Sequence, residues 1–114
     1  MDCYIGIDVA KATLDIAAVP NGETWAVTND ETGLQELIPR LRALSPTLVV
    51  LEAPGGFESV TVAALAKAGL PVVVAHPRQG RDFAKALGRL TKTDALDAAI
   101  LAEFAQRVRP EPRA

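Results

Sequence analysis

At 114 residues the chain is long enough for one domain with a core of its own, and 49% apolar residues exclude a disordered polymer. A net charge of −2 argues against indiscriminate nucleic-acid binding, and a single cysteine, Cys3, excludes a disulfide framework or a zinc-binding spacing and points to a reducing compartment. No apolar run reaches membrane-span length and the first four residues lack the basic start of a signal peptide, so a cytoplasmic protein without a membrane partner is expected.

Tyr4-Ile5-Gly6-Ile7-Asp8-Val9 is short, apolar and β-branched, which predicts a buried strand with one anomalous acid near its end. Ala10-Lys11-Ala12 is a tight break, and the alternation over 13–19 predicts a second strand. Pro20-Asn21-Gly22 is turn chemistry, and 23–28, around Trp25 and Val27, is a third strand. Three strands joined by short turns form an antiparallel meander. Thr28 or Thr32, with Glu31 or Gln35 three residues on, can cap a helix whose stripe is Leu34, Leu37, Ile38 and Leu41. Ser45-Pro46 ends it. A fourth strand over 47–52 again ends on an acid, Glu52, before the loop Ala53-Pro54-Gly55-Gly56. Phe57, Val60, Ala64, Leu65 and Ala68 mark a second helix stopped at Gly69. A fifth strand over 71–75 precedes His76-Pro77. A basic helix over 78–87, a break over 88–93 and a last helix over 94–108 complete the domain, assigned to residues 1–108. Residues 109–114 are a linker-like tail.

This order of elements predicts an α/β fold. Its mixed five-stranded sheet joins the three-strand antiparallel meander to parallel strands, with helices on both faces. A right-handed crossover can set the fourth strand beside the first, aligning the ends that carry Asp8 and Glu52. Neighbouring strands lie about 4.8 Å apart, within reach of one metal cluster. In Lys92-Thr93-Asp94-Ala95-Leu96-Asp97-Ala98 two more acids, three apart, share one helix face. The stripe 94, 97, 101, 104, 108 continues through Leu101, Phe104 and Val108, so that face turns inward. Inward acids are costly unless a cation waits there. Asp8, Glu52, Asp94 and Asp97 thus form a candidate catalytic and metal-ligating set of hard oxygen donors suited to Mg²⁺ or Mn²⁺, able with two metals to activate a water and stabilise the leaving oxygen of a phosphodiester. Each acid also has a structural role open to it. Asp94 can be an N-cap, Asp97 can complement the helix dipole, and Asp8 and Glu52 can be ordinary strand-end residues.

The charge is unevenly spread. Residues 1–77 hold four Lys/Arg and nine Asp/Glu, a balance of −5; residues 78–92 hold five and one, +4; residues 93–114 hold three and four, −1. The positive segment carries Arg78, Arg81, Lys85, Arg89 and Lys92 near helical spacing, directly before the Asp94/Asp97 pair. These residues are candidates for contact with a nucleic-acid backbone; the alternative is a solvated helix face. Phe83, Leu87 and Leu90 form the opposite, core-facing stripe. His76 and Gly55-Gly56 read as loop residues, and Ser45 and Ser59 have no histidine partner for a triad.

Three blocks together resemble the N-terminal domain of DEDD transposases of the insertion-sequence 110/1111 family. They are Gly6-Ile7-Asp8-Val9-Ala10-Lys11, Leu51-Glu52-Ala53-Pro54-Gly55-Gly56-Phe57, and 88–98 with its Lys-Thr-Asp-x-x-Asp-Ala core. The resemblance spans essentially the whole chain. It implies a RuvC-like fold of the ribonuclease H-like class and a four-acid Mg²⁺ site, with the family's acids falling on Asp8, Glu52, Asp94 and Asp97. It also implies a DNA recombinase working with a structured guide RNA, through a coiled coil and a serine-bearing C-terminal domain that do not occur in these 114 residues. Homo-oligomerisation is expected through those parts.

The expected function is therefore that of a metal-binding transposase domain acting on DNA phosphodiesters. Its rivals are a stand-alone junction-resolving nuclease, a non-catalytic nucleic-acid-binding or dimerisation module, and a fragment of an actin-like ATPase, which also begins strand-Gly-x-Asp.

Overall fold

The computed structural model describes residues 2–52, 58–75, 77–86, 88 and 98–109, with the backbone alone at 77–81. The strands are β1 (Tyr4–Val9), β2 (Thr13–Val19), β3 (Thr24–Thr28), β4 (Leu48–Glu52) and β5 (Val72–Val74). The helices are α1 (Glu31–Leu44), α2 (Ser59–Lys67), α3 (Pro77–Ala86) and α4 (Ala98–Val108). The strands form one open sheet in the order β3-β2-β1-β4-β5, antiparallel across β1–β2–β3 and parallel across β1–β4 and β4–β5. This is the mixed sheet the sequence predicts, with the fourth strand beside the first.

Strand alternation divides the sheet into two unlike faces. Ile5, Ile7 and Val9 of β1, Leu14 and Ile16 of β2, and Val49 and Leu51 of β4 all turn to the face covered by α1 and α2. There they pack on Leu34, Leu37, Leu41 and Leu65. Tyr4, Leu48 and Val50 turn to the other face and pack against Leu101, Phe104 and Ala105 of α4. Helix α3 lies outside α4, with Phe83 edge-on to Phe104 at 5.5 Å between ring centroids.

Three local expectations are corrected. The cap of α1 is Asp30, not Thr28 or Thr32. Its carboxylate accepts from the Gly33 amide at 2.8 Å, and Thr28 Oγ1 donates to the same oxygen at 2.7 Å. Thr28 ends β3 three residues before the helix begins and Thr32 already lies within it, whereas Asp30 directly precedes Glu31 with the extended backbone of a cap. The Gly33 hydrogen bond, then that of Thr28, holds the Asp30 carboxyl below its ordinary range. On α2, Val60 is exposed, and the buried positions are Thr61 and Leu65. On α4, Val108 is exposed in the last turn, while Ala98, Ala102 and Ala105 join Leu101 and Phe104 in the buried face. A stripe of small residues is invisible to a search for large apolar ones, yet it is what brings this helix close. The side chain of Trp25 is covered by Arg40, 3.8 Å from the ring centroid, and Arg40 also pairs with Glu23 at 3.6 Å.

Among the described residues no helix is long and apolar enough to cross a membrane.

Candidate metal centre

Two of the four predicted acids lie among the described residues, and the sheet brings them together. Asp8 and Glu52 are direct partners in the parallel β1–β4 register. Both project from the α4 face, because Asp8 follows Tyr4 and Gly6 by the two-residue period and Glu52 follows Leu48 and Val50. Asp8 is half-buried and Glu52 is only 3% exposed. A carboxylate this deep is costly unless hydrogen bonds or a cation offset the lost hydration.

Helix α4 is aimed at this pair. Ala98 and Ala99 lie beside Asp8 and Asp15, whereas the guanidinium of Arg109 sits 5.4 Å from the centroid of the Tyr4 ring. The helix therefore runs antiparallel to β1, and its N-terminus opens over the carboxyl ends of β1 and β4. The partial positive charge of a helix N-terminus favours anionic groups nearby. Gly6 makes the approach possible. A Cβ at this position would overlap the Ala98 carbonyl oxygen and the Ala102 amide nitrogen, both backbone atoms that cannot rotate away. With Ala17, Ala98 and Ala102 buried around it, the contact is backbone against backbone.

Asp94 and Asp97, the second pair, lie outside the described residues, as do Arg89, Lys92, His76 and Gly55-Gly56. Ala98, the first residue of α4, directly follows Asp97 in the chain. Of the basic segment, Lys85 is exposed on α3, and Arg78 and Arg81 fall within the same helix. Among the described residues no group of three or more His, Cys, Asp or Glu side chains gathers into a metal site. What they supply is a rigid, adjacent pair of hard oxygen donors. The donor type fits Mg²⁺ or Mn²⁺ and not a soft metal. Cys3 does not add to it, for the thiol is buried in the α1/α2 core, and that burial, with the nearby Glu23 charge, pushes its pKa up.

Two features were not singled out from the sequence. Asp15 pairs with Asp8 across β1–β2 and stays exposed. The alternation of β2 was the available signal, since it puts 13, 15 and 17 on the acid-bearing face. Beside it, Asp8, Asp15, Thr24, Ala26, Ala98 and Ala99 line an open depression of about 400 Å³.

Comparison with known proteins identifies the fold and the family. Two structures of RuvC from Thermus thermophilus share the fold. The one in complex with a Holliday junction superposes with a TM-score of 0.62 at 16% identity over 93% of this chain and 96% of that one. The other gives 0.60 at 17% identity over 96% and 98%. The pilin gene-inverting proteins of Moraxella bovis and Moraxella lacunata are each 32% identical to this chain over 94% of its length, and the chain spans about a third (35%) of theirs. The family model of the insertion-sequence 110 DEDD transposases matches residues 5–114. The chain belongs to this transposase family, and its fold is RuvC-like, in the ribonuclease H-like class.

Proposed function

We propose that this domain cuts or exchanges DNA phosphodiesters at a divalent-metal centre held by Asp8 and Glu52 together with Asp94 and Asp97. The observation that carries this reading is the in-register pair of Asp8 and nearly buried Glu52 at the carboxyl ends of two parallel strands, where open α/β sheets bind their ligands. Bound there, Mg²⁺ or Mn²⁺ would activate a water or hydroxyl and stabilise the leaving oxygen of the phosphodiester. The chain's own part is to fix two carboxylates on adjacent strands and to keep water from Glu52, so that its charge is weakly screened. Arg78, Arg81, Lys85, Arg89 and Lys92 would hold backbone phosphate beside the acids.

Family membership and the pilin gene-inverting relatives support recombination as the setting. The structural likeness to a RuvC solved with a Holliday junction supports branched DNA as the substrate form. In a longer protein of the relatives' length the domain would act within an oligomer and with a structured guide RNA, as the family resemblance implies. In that full-length protein, Glu52→Gln keeps the side-chain shape and removes the charge. DNA strand cleavage in Mg²⁺ should fall to background while the melting temperature stays within a few degrees of wild type. Cleavage at the wild-type rate would remove Glu52 from the mechanism.

A further inference from the structure

We infer that Lys11, at the tip of the β1–β2 turn, contacts a DNA phosphate next to the one held at the acid pair, and that Asn29 positions it. The inference rests on the reading of Asp8 and Glu52 as a phosphodiester site and extends it to a residue outside the basic segment.

The geometry begins at the turn. Two residues after Asp8 the chain reverses through Ala10-Lys11-Ala12, closed by the Ala10 amide donating to the Thr13 carbonyl at 2.9 Å. Asn29 takes hold of the carbonyls on either side of Lys11. Its Nδ2 donates to the Ala10 oxygen at 2.7 Å, and its own amide donates to the Ala12 oxygen at 3.0 Å. The hydroxyl of Thr61, fully buried on α2, donates to Asn29 Oδ1 at 3.4 Å. The turn is thus tied to the end of β3 and to α2, the helix that next follows Glu52 among the described residues. A turn meant only to reverse the chain needs no such bracket from two other elements.

The bracket holds a charged residue out into solvent. Lys11 is exposed, and among the described residues its ammonium makes no ion pair or hydrogen bond. Residues 2–75 hold three other cations, and all lie away from the acids. Arg40 and Arg42 are near the C-terminal end of α1, engaged with Trp25 and Glu23 and with the Ala68 carbonyl. Lys67 closes α2. Both helices start at the sheet end that carries Asp8 and Glu52, so their last turns point away from it. Within this part of the chain Lys11 alone puts positive charge at the acid-bearing end. Substrate brought to two carboxylates is itself anionic, and a cation at the same end of the sheet offsets that repulsion. A long, flexible side chain on a rigid turn suits a phosphate, which needs a charge but no fixed donor geometry.

The test measures the affinity of the 114-residue chain for a labelled four-way DNA junction as a function of salt. The probes are wild type, Lys11→Gln, Lys11→Arg, Asn29→Ala and the double variant, each first checked for a cooperative melt. One lost phosphate contact should flatten the slope of log affinity against log salt by about 0.9. Lys11→Gln should show that loss and Lys11→Arg should restore it. Asn29→Ala should weaken binding in the wild-type background and leave binding unchanged where Lys11 is already Gln, because it acts through the same contact. An unchanged slope in Lys11→Gln, with wild type still binding steeply, overturns the Lys11 contact and leaves the acid-pair reading intact. Additive losses in the double variant overturn the positioning role of Asn29. If the wild type itself binds no junction with any salt dependence, the phosphodiester reading falls and this inference with it.

Discussion

The two faces of the sheet use the same strands for different ends. The α1/α2 face carries Ile5, Ile7, Val9, Leu14, Ile16 and Leu51, all branched, fully buried and meshed with helix leucines. The α4 face carries Tyr4, Gly6 and Asp8 from the same strand β1, and Val50 and Glu52 from β4. One face fills volume. The other gives volume up, with Gly6, Ala17, Ala98 and Ala102 bringing backbones together, and spends the space on charged groups at one end. Period-two alternation lets one short strand serve stability on one side and chemistry on the other, so damage to each face should be separable.

The largest expected loss lies on the packed face. Leu37 of α1 is fully buried, and Leu37→Ala should cost about 2–5 kcal/mol by lost transfer energy and a residual cavity. Denaturant unfolding would measure it, and any metal response of the remaining folded protein should keep its wild-type form. Gly6→Ala should cost about 1–3 kcal/mol, since its methyl meets α4 backbone and only a shift of the helix relieves the overlap. Here stability and the site should fail together, because α4 and the acids share that face. A Gly6→Ala protein as stable as wild type would mean the helix is not held as close as described.

A smaller effect is expected at the rim. Asp30→Ala removes the α1 cap and should lower the melting temperature at neutral pH. Because the folded-state pKa of Asp30 is depressed, its contribution is complete above the ordinary carboxylate pKa and fades as pH falls through the lowered value. The gap between mutant and wild type should therefore close in acid. A gap independent of pH would assign the loss to something other than the carboxylate.

Much of this organisation was legible in the sequence because it follows from period and position. The alternating strands, the meander turns and the crossover that sets Asp8 beside Glu52 all come from residue pattern and chain connectivity. The α1 cap was misassigned because four cap-type residues, Thr28, Asn29, Asp30 and Thr32, crowd 28–32, and only the end of β3 decides among them. The stripe on α2 failed because Val60 is apolar yet exposed, while polar Thr61 is buried and hydrogen-bonded to Asn29. The closeness of α4 was missed for the opposite reason, as Gly6 and the alanines of 98–105 carry no large side chain to announce a contact. The bracket around Lys11 joins residues 10, 12, 29 and 61, a long-range set that no local pattern contains.

The central claim is that the acid pair on the α4 face holds a divalent metal, and thermal melting of the 114-residue chain across a Mn²⁺ titration tests it most directly. A ligand bound only by the folded state raises the melting temperature by mass action. Wild type should climb with Mn²⁺. Asp8→Asn, which removes one of the two oxygen-donor carboxylates, should lose most of the climb. If wild type and Asp8→Asn rise equally across the titration, or if neither rises, Asp8 and Glu52 are not holding the metal and the proposed centre is contradicted.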